Sequence, residues 1–339
     1  MPTIRDVAQR AGVSPTTVSY VLNDTRHVSP ATEARIRIAI KELDFKPNYI
    51  ARSLRAKCTL TVGMIVSDIT NPFYADIVRG AQDVLSTRHY SLILCNTDEA
   101  PVRELETLTL LRQKKVDGLI AVVTGANVDA FSEASDAGLP IVLVDRRLPG
   151  DHLCTVLADD EHGAYQATQH LLQLGHRRIG VILGRVGIST SEHRRKGYEA
   201  ALREAGVAID PALLQTGHST VAGGAAAAKA LLDLTPPPTA IFATNNLMTV
   251  GLFVTIKERH LRCPEDVAVV GFDDMVWLSV FSPALTTVAQ PSYELGKKAA
   301  ELLWNRMDEK KAGNPCLVIL PAKLVIRESC GQAIAAVTH

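Results

Sequence analysis

Nine residues scattered between positions 71 and 290 have the side chains needed to grip a polyhydroxylated ring. They are Asn71, Phe73, Tyr74, Asp145, Arg146, Arg194, Asn245, Asp273 and Gln290. The two aspartates accept, the two arginines donate through a fork, and the three amides do both. Each hydroxyl of a sugar both gives and takes a hydrogen bond, while its C–H face packs on a flat apolar ring such as Phe73 or Tyr74. A second group, Thr3, Thr16, Thr17, Ser19, Tyr20 and Asn23, sits close together near the start of the chain. Small hydroxyls, one aromatic and one amide suit phosphates and base edges in a DNA major groove, where little bulk keeps an element from entering.

The elements that must position the second group are readable. Residues 3–23, TIRDVAQRAGVSPTTVSYVLN, describe two short helices joined by a tight turn. Thr3 can cap the first, with Asp6 returning the bond as in a capping box. Ile4, Val7, Ala8 and Ala11 give that helix one apolar face. Gly12 suits the left-handed residue that ends it. Ser14 caps the second helix and Pro15 takes its first turn. Val18, Val21 and Leu22 then point inward, leaving the DNA candidates outside. Ser29-Pro30 opens a third helix to about Leu43, with Ile36, Ile40 and Leu43 as its stripe and Ile38 and Ala39 flanking. Next, NYIARSLRAK (48–57) can form about two helical turns, too few to be stable alone. It reads as a linker that orders on DNA. Asn48, Ala51, Arg52, Leu54 and Arg55 are its candidate contacts. A leucine between arginines can wedge into a minor-groove step while the arginines meet phosphates.

From Leu60 the rhythm changes to short apolar runs alternating with helical stretches. Strands are expected at 60–68, 91–96, 118–123, 140–145, 179–183, 240–244, 267–273 and 286–290, with helices between them. This alternation predicts parallel sheets covered on both faces, and the strand number suggests two α/β lobes with a cleft between. Ligands of such sheets bind beyond the carboxyl ends of the strands, where most of the nine sugar candidates fall. Any one strand-end aspartate is more often a helix cap, so the weight lies in their convergence.

Composition agrees. The 36 basic and 36 acidic residues cancel, but residues 1–58 hold ten Lys/Arg and five acids, a net of +5, leaving −5 for the rest. A basic head on an acidic body fits a head that meets phosphates and a body that does not. No apolar run reaches the ~20 residues that span a bilayer, and no signal-peptide core precedes the first helix, so a cytoplasmic protein is expected. The six cysteines form no CxxC pair and read as reduced and mostly buried. Clustered Cys/His spacing for a metal is absent, and so are GxSxG, HExxH and P-loop motifs. No enzyme activity, metal or cofactor is expected.

Taken together, TIRDVAQRAGVS, TVSYVLN, PNYIARSLR, NPFYADIVRG, LGHRRIGVI, RRKGYEAAL and VAVVGFDD resemble the lactose-repressor family of transcription regulators over essentially the whole chain. The resemblance implies a helix-turn-helix head (1–46), a hinge (47–59) and a body (60–339) like a periplasmic ribose-binding protein. Lobe one would comprise about 60–158 and 290–320, and lobe two about 159–289 and 321–339. It also implies a homodimer on a near-palindromic operator, with Leu54 entering the central minor groove, and the nine residues above as the effector site. Leucine heptads are absent after Cys330, so the tetramer-forming tail of some relatives is missing. Two departures stand out: Tyr20 where the family usually has Arg, and Asn246 where relatives commonly carry Asp. The expected effector is a free monosaccharide, a pentose such as ribose. A phosphorylated sugar held with help from Arg147, a corepressor role, a partner protein as the signal, and a non-regulatory sugar-binding protein remain alternatives.

Overall fold

The computed structural model describes residues 2–23, 26–45, 58–150, 152–308 and 315–331, leaving aside the side chains of Asn23 and Trp277. The hinge candidates Asn48, Ala51, Arg52, Leu54 and Arg55 lie outside these residues. The chain divides into two compact units, Met1–Thr59 and Leu60–His339.

The first unit holds α1 (Ile4–Ala11), α2 (Pro15–Asn23) and α3 (Pro30–Glu42). The capping box forms as expected: Thr3 Oγ1 accepts the Asp6 N–H, and an Asp6 carboxylate oxygen accepts the Thr3 N–H at 2.6 Å. Gly12 ends α1 at φ +64, in the left-handed region. Ser14 Oγ accepts the Thr17 N–H at 3.1 Å and so caps α2. Val7, Ala8, Val18, Ile36 and Ala39 build the core. Ile36, Ile40 and Leu43 pack on this core as the stripe of α3, while its two flanking residues part ways. Ala39 is buried, whereas Ile38 is 57% exposed, because the small residue lets the helices approach while the large one lies on the outer face.

The second unit carries two six-stranded sheets. The first comprises β1 (Thr61–Val66), β2 (Ser91–Asn96), β3 (Gly118–Ala121), β4 (Ile141–Val144), β5 (Cys154–Ala158) and β11 (Leu317–Leu320), in the order β11-β5-β4-β3-β1-β2. The second comprises β6 (Ile179–Leu183), β7 (Leu214–Thr216), β8 (Ala240–Ala243), β9 (Ala268–Phe272), β10 (Thr286–Ala289) and β12 (Lys323–Val325), in the order β12-β10-β9-β8-β6-β7. Every pairing is parallel except β10 with β12. The helices are α4 (Pro72–Thr87), α5 (Pro101–Gln113), α6 (Val128–Asp136), α7 (Asp160–Gln173), α8 (Ser189–Glu204), α9 (Val221–Leu232), α10 (Asn246–Glu258) and α11 (Ser292–Asp308). The chain passes between the sheets after Ala158, after Ala289 and after Leu320. Helices within each lobe pack backbone to backbone. A Cβ on Gly80 would strike the Tyr293 carbonyl, and one on Gly296 that of Ile77, which locks α4 against α11.

Four strands escaped the sequence reading: β5, β7, β11 and β12. Three are only three or four residues long, and β11 alternates exposed with half-buried positions at a sheet edge. The cysteine reading is also corrected. Cys154 and Cys316, 162 residues apart, are joined by a disulfide. The register that sets Thr155 beside Leu317 brings them together. Only Cys154 and Cys330 are buried, and the other four are half-buried.

Candidate functional site

In the first unit, α2 presents Thr16 exposed, with Thr17, Ser19 and Tyr20 half-buried beside it. The Thr3 hydroxyl is committed to its cap, donating to Asp6 at 2.8 Å. Arg26 lies over the Tyr20 ring, 5.4 Å from its centroid, so a guanidinium stands next to the position where the ring replaces the usual arginine.

In the second unit, a cleft of about 500 Å³ lies at the carboxyl ends of the strands. All nine sequence candidates line it. Their placement follows from local backbone chemistry. Asn71 caps α4 by accepting the Phe73 N–H, which sets Phe73 and Tyr74 on the first helical turn. Asn245 caps α10 in the same way, accepting from Leu247 and Met248. Asp145 and Asp273 directly follow β4 and β9 with left-handed φ of 69° and 73°. Each donates its own N–H to the neighbouring strand, at the Val156 and Val288 carbonyls, both at 2.9 Å. Positive φ is uncommon for residues with a side chain and clusters at functional sites.

The charges in the cleft are tied to one another. Arg146 donates to both Glu99 carboxylate oxygens, at 2.6 and 2.7 Å, and to the Tyr74 hydroxyl at 3.0 Å. The Tyr74 hydroxyl in turn donates to Asp145 at 3.2 Å. Arg194 donates to Asp160 at 2.7 and 2.8 Å and to the Thr244 carbonyl at 2.6 Å, with its guanidinium 3.8 Å from the Phe272 ring centroid. Asp273 accepts from Gln290 at 2.6 Å and from the Asn246 N–H at 3.2 Å. Burial raises the Asp145 carboxyl, with Arg146 and Arg194 offsetting part of the rise. Burial pushes Asp160 up to about 7, against relief from Arg194. Burial would also raise Glu99, but the bonds from Arg146 outweigh it and hold that carboxyl below its ordinary value.

Sequence reasoning missed Glu99, Asp160, Asn246 as a structural partner, and Arg185. Glu99 follows β2 closely, so the strand-end rule could have found it; its pairing with Arg146 is tertiary and leaves no local signal. Arg147, considered as a phosphate ligand, is exposed and is not among the cleft-lining residues.

A family model for periplasmic binding proteins and the sugar-binding domain of the LacI family matches residues 59–328, and one for bacterial regulatory proteins of the lacI family matches residues 3–48. The chain belongs to the LacI family. This LacI-family chain is a DNA-binding transcriptional regulator and not an enzyme. It is 37% identical over 331 residues to the HTH-type transcriptional repressor PurR of Photobacterium profundum, covering 97% of this chain and 98% of the relative. It also resembles the transcriptional regulator CelR solved with cellobiose, at 34% identity and a TM-score of 0.75, covering 97% of this chain and 100% of that one. The lac repressor dimer bound to operator and an anti-inducer matches at 26% identity and a TM-score of 0.86, covering 97% and 99%.

Proposed function

We propose that this LacI-family repressor is a cytoplasmic homodimer released from its operator by a small uncharged sugar, with a free pentose such as ribose the favoured effector. One observation carries the choice of an uncharged ligand: the cleft's own charges are already matched or acidic. Five carboxylates (Asp68, Asp98, Glu99, Asp145, Asp273) line it against three guanidiniums (Arg146, Arg185, Arg194). Arg146 and Arg194 are each held by a carboxylate at 2.6–2.7 Å. A phosphate ester would meet this acidic excess, while a neutral polyol would find donors and acceptors already aimed. The cellobiose complex of the related CelR supports a sugar in this cleft. The effector contacts are the nine residues named above.

Thr3, Thr16, Thr17, Ser19, Tyr20 and Asn23 meet the operator half-site, and Asn48, Ala51, Arg52, Leu54 and Arg55 act at the hinge. Two exposed apolar sets support self-association, Val102, Leu105 and Leu110 in one lobe and Val254, Val276, Val280 and Phe281 in the other. Coupling of ~1–3 kcal/mol between cleft and head gives a 5–150-fold change in operator affinity.

Calorimetric titration with ribose, other pentoses, hexoses and ribose 5-phosphate tests the reading, together with operator affinity in their presence. A neutral sugar should bind and weaken operator binding, and the phosphate should bind at least about tenfold more weakly, the cost of one uncompensated charge contact. Tighter binding of the phosphate, or no small molecule altering operator affinity, overturns it. Leu54→Ala should weaken specific operator binding and spare both non-specific DNA binding and sugar affinity.

A further inference from the structure

Asn246 does not line the cleft, yet its side chain reaches across from one lobe to the other. It is the first residue of α10, and Asn71 caps α4 on the opposite side. Asn246 Nδ2 donates to Asn71 Oδ1 at 2.8 Å, and Asn71 Nδ2 donates back to Asn246 Oδ1 at 3.3 Å. Both residues are buried, at 4% and 5% exposure. Each amide oxygen also serves its own lobe. Asn71 Oδ1 accepts the Phe73 N–H, and Asn246 Oδ1 accepts from the Leu247 N–H at 2.8 Å and from Asn245 Nδ2 at 3.1 Å.

We propose that Asn246 is a positioning residue which, with Asn71, forms a neutral two-way latch that holds the lobes closed and so presets effector affinity. Only an amide can play both parts. A carboxylate at 246 could still accept from Leu247 and Asn245, but it would set two acceptor oxygens 2.8 Å apart where a donor now meets Asn71. It would also add negative charge beside Asp273, which already accepts the Asn246 N–H. Buried amides that lose their partner must be rehydrated, so opening the cleft costs both bonds together. The latch works with a second bridge: the Arg147 N–H donates across the cleft to Ser189 Oγ at 3.3 Å.

The effect on sugar binding rests on the effector reading above, whereas the latch itself can be read without ligand. The test uses Asn246→Ala, Asn246→Asp, Asn71→Ala and the Asn71→Ala/Asn246→Ala double variant in the full chain. Asn246→Ala leaves the Asn245 cap of α10 in place, so it should fold. Hydrogen exchange without ligand should quicken at the Arg147 amide in Asn246→Ala and further in Asn246→Asp. Ribose affinity should fall on the order of tenfold, the value of two net hydrogen bonds. The double variant should be no worse than Asn71→Ala alone, since Asn71→Ala already breaks the contact that Asn246→Ala removes. Unchanged exchange in both Asn246 variants overturns the proposal, and so do additive losses, which would mean two independent helix-end roles. If wild type gives no heat with ribose but the exchange pattern holds, the latch stands and the ribose assignment falls.

Discussion

The two lobes solve the same problem with different chemistry. Each ends a central strand in a left-handed aspartate, Asp145 after β4 and Asp273 after β9, and each pins that residue's N–H to the next strand. Beyond that the lobes diverge. Lobe one surrounds its aspartate with a charged relay, Glu99–Arg146–Tyr74–Asp145. Lobe two gives Asp273 neutral hydrogen-bond partners, Gln290 and the Asn246 backbone, and brings its own ion pair, Arg194–Asp160, to the cleft wall through Arg194. A shared backbone device therefore delivers two aspartates of unequal character. The one in lobe one accepts a single bond, from Tyr74, beside the Arg146 guanidinium, and the one in lobe two has both oxygens engaged by neutral donors.

Arg194→Ala offers the harshest break in this comparison. It strands Asp160 in a dry site and should destabilise the chain by about 3–5 kcal/mol, the cost of orphaning one member of a buried pair; denaturant unfolding measures it. Asp273→Ala comes next. It should remove sugar response and leave operator binding intact; titration and operator shift assays on it and on Asp145→Ala compare the two lobes. Undiminished sugar binding in Asp273→Ala would refute the cleft assignment. Glu99→Gln should cost roughly 1.5–3 kcal/mol of stability through a lost charged hydrogen bond and make the cleft more tolerant of an anionic ligand, which ribose 5-phosphate titration reads.

The last effect is a slope. Asp160 titrates near 7 in the folded chain and near the ordinary carboxylate value when unfolded. The folded state thus binds the extra proton in between, and stability from this group falls as pH rises from about 4 to about 7. Asp160→Asn should remove that share of the decline, seen by comparing melting temperatures across the same range.

The sequence conveyed the lobes' main strands because runs such as SLILCN and IGVIL are apolar, short and flanked by breakers. It did not convey β7, β11 or β12, whose few residues are stabilised by neighbours and not by their own pattern. The contrast recurs in the site. Asn71, Asp145, Asn245 and Asp273 were found because strand ends and helix starts have local signatures. Glu99, Asp160 and Asn246 acquire their roles from residues 47, 34 and 175 positions away, and no local pattern carries such information. The Cys154–Cys316 bridge belongs to the same class, being a product of strand register.

The three passages of chain between the sheets, after Ala158, Ala289 and Leu320, have a mechanical result. Three straps tether the two halves more closely than one would, and deny them a free swivel. A molecule that fits the mouth therefore pushes on halves tied at three points, and neither half can shift without pulling on all three.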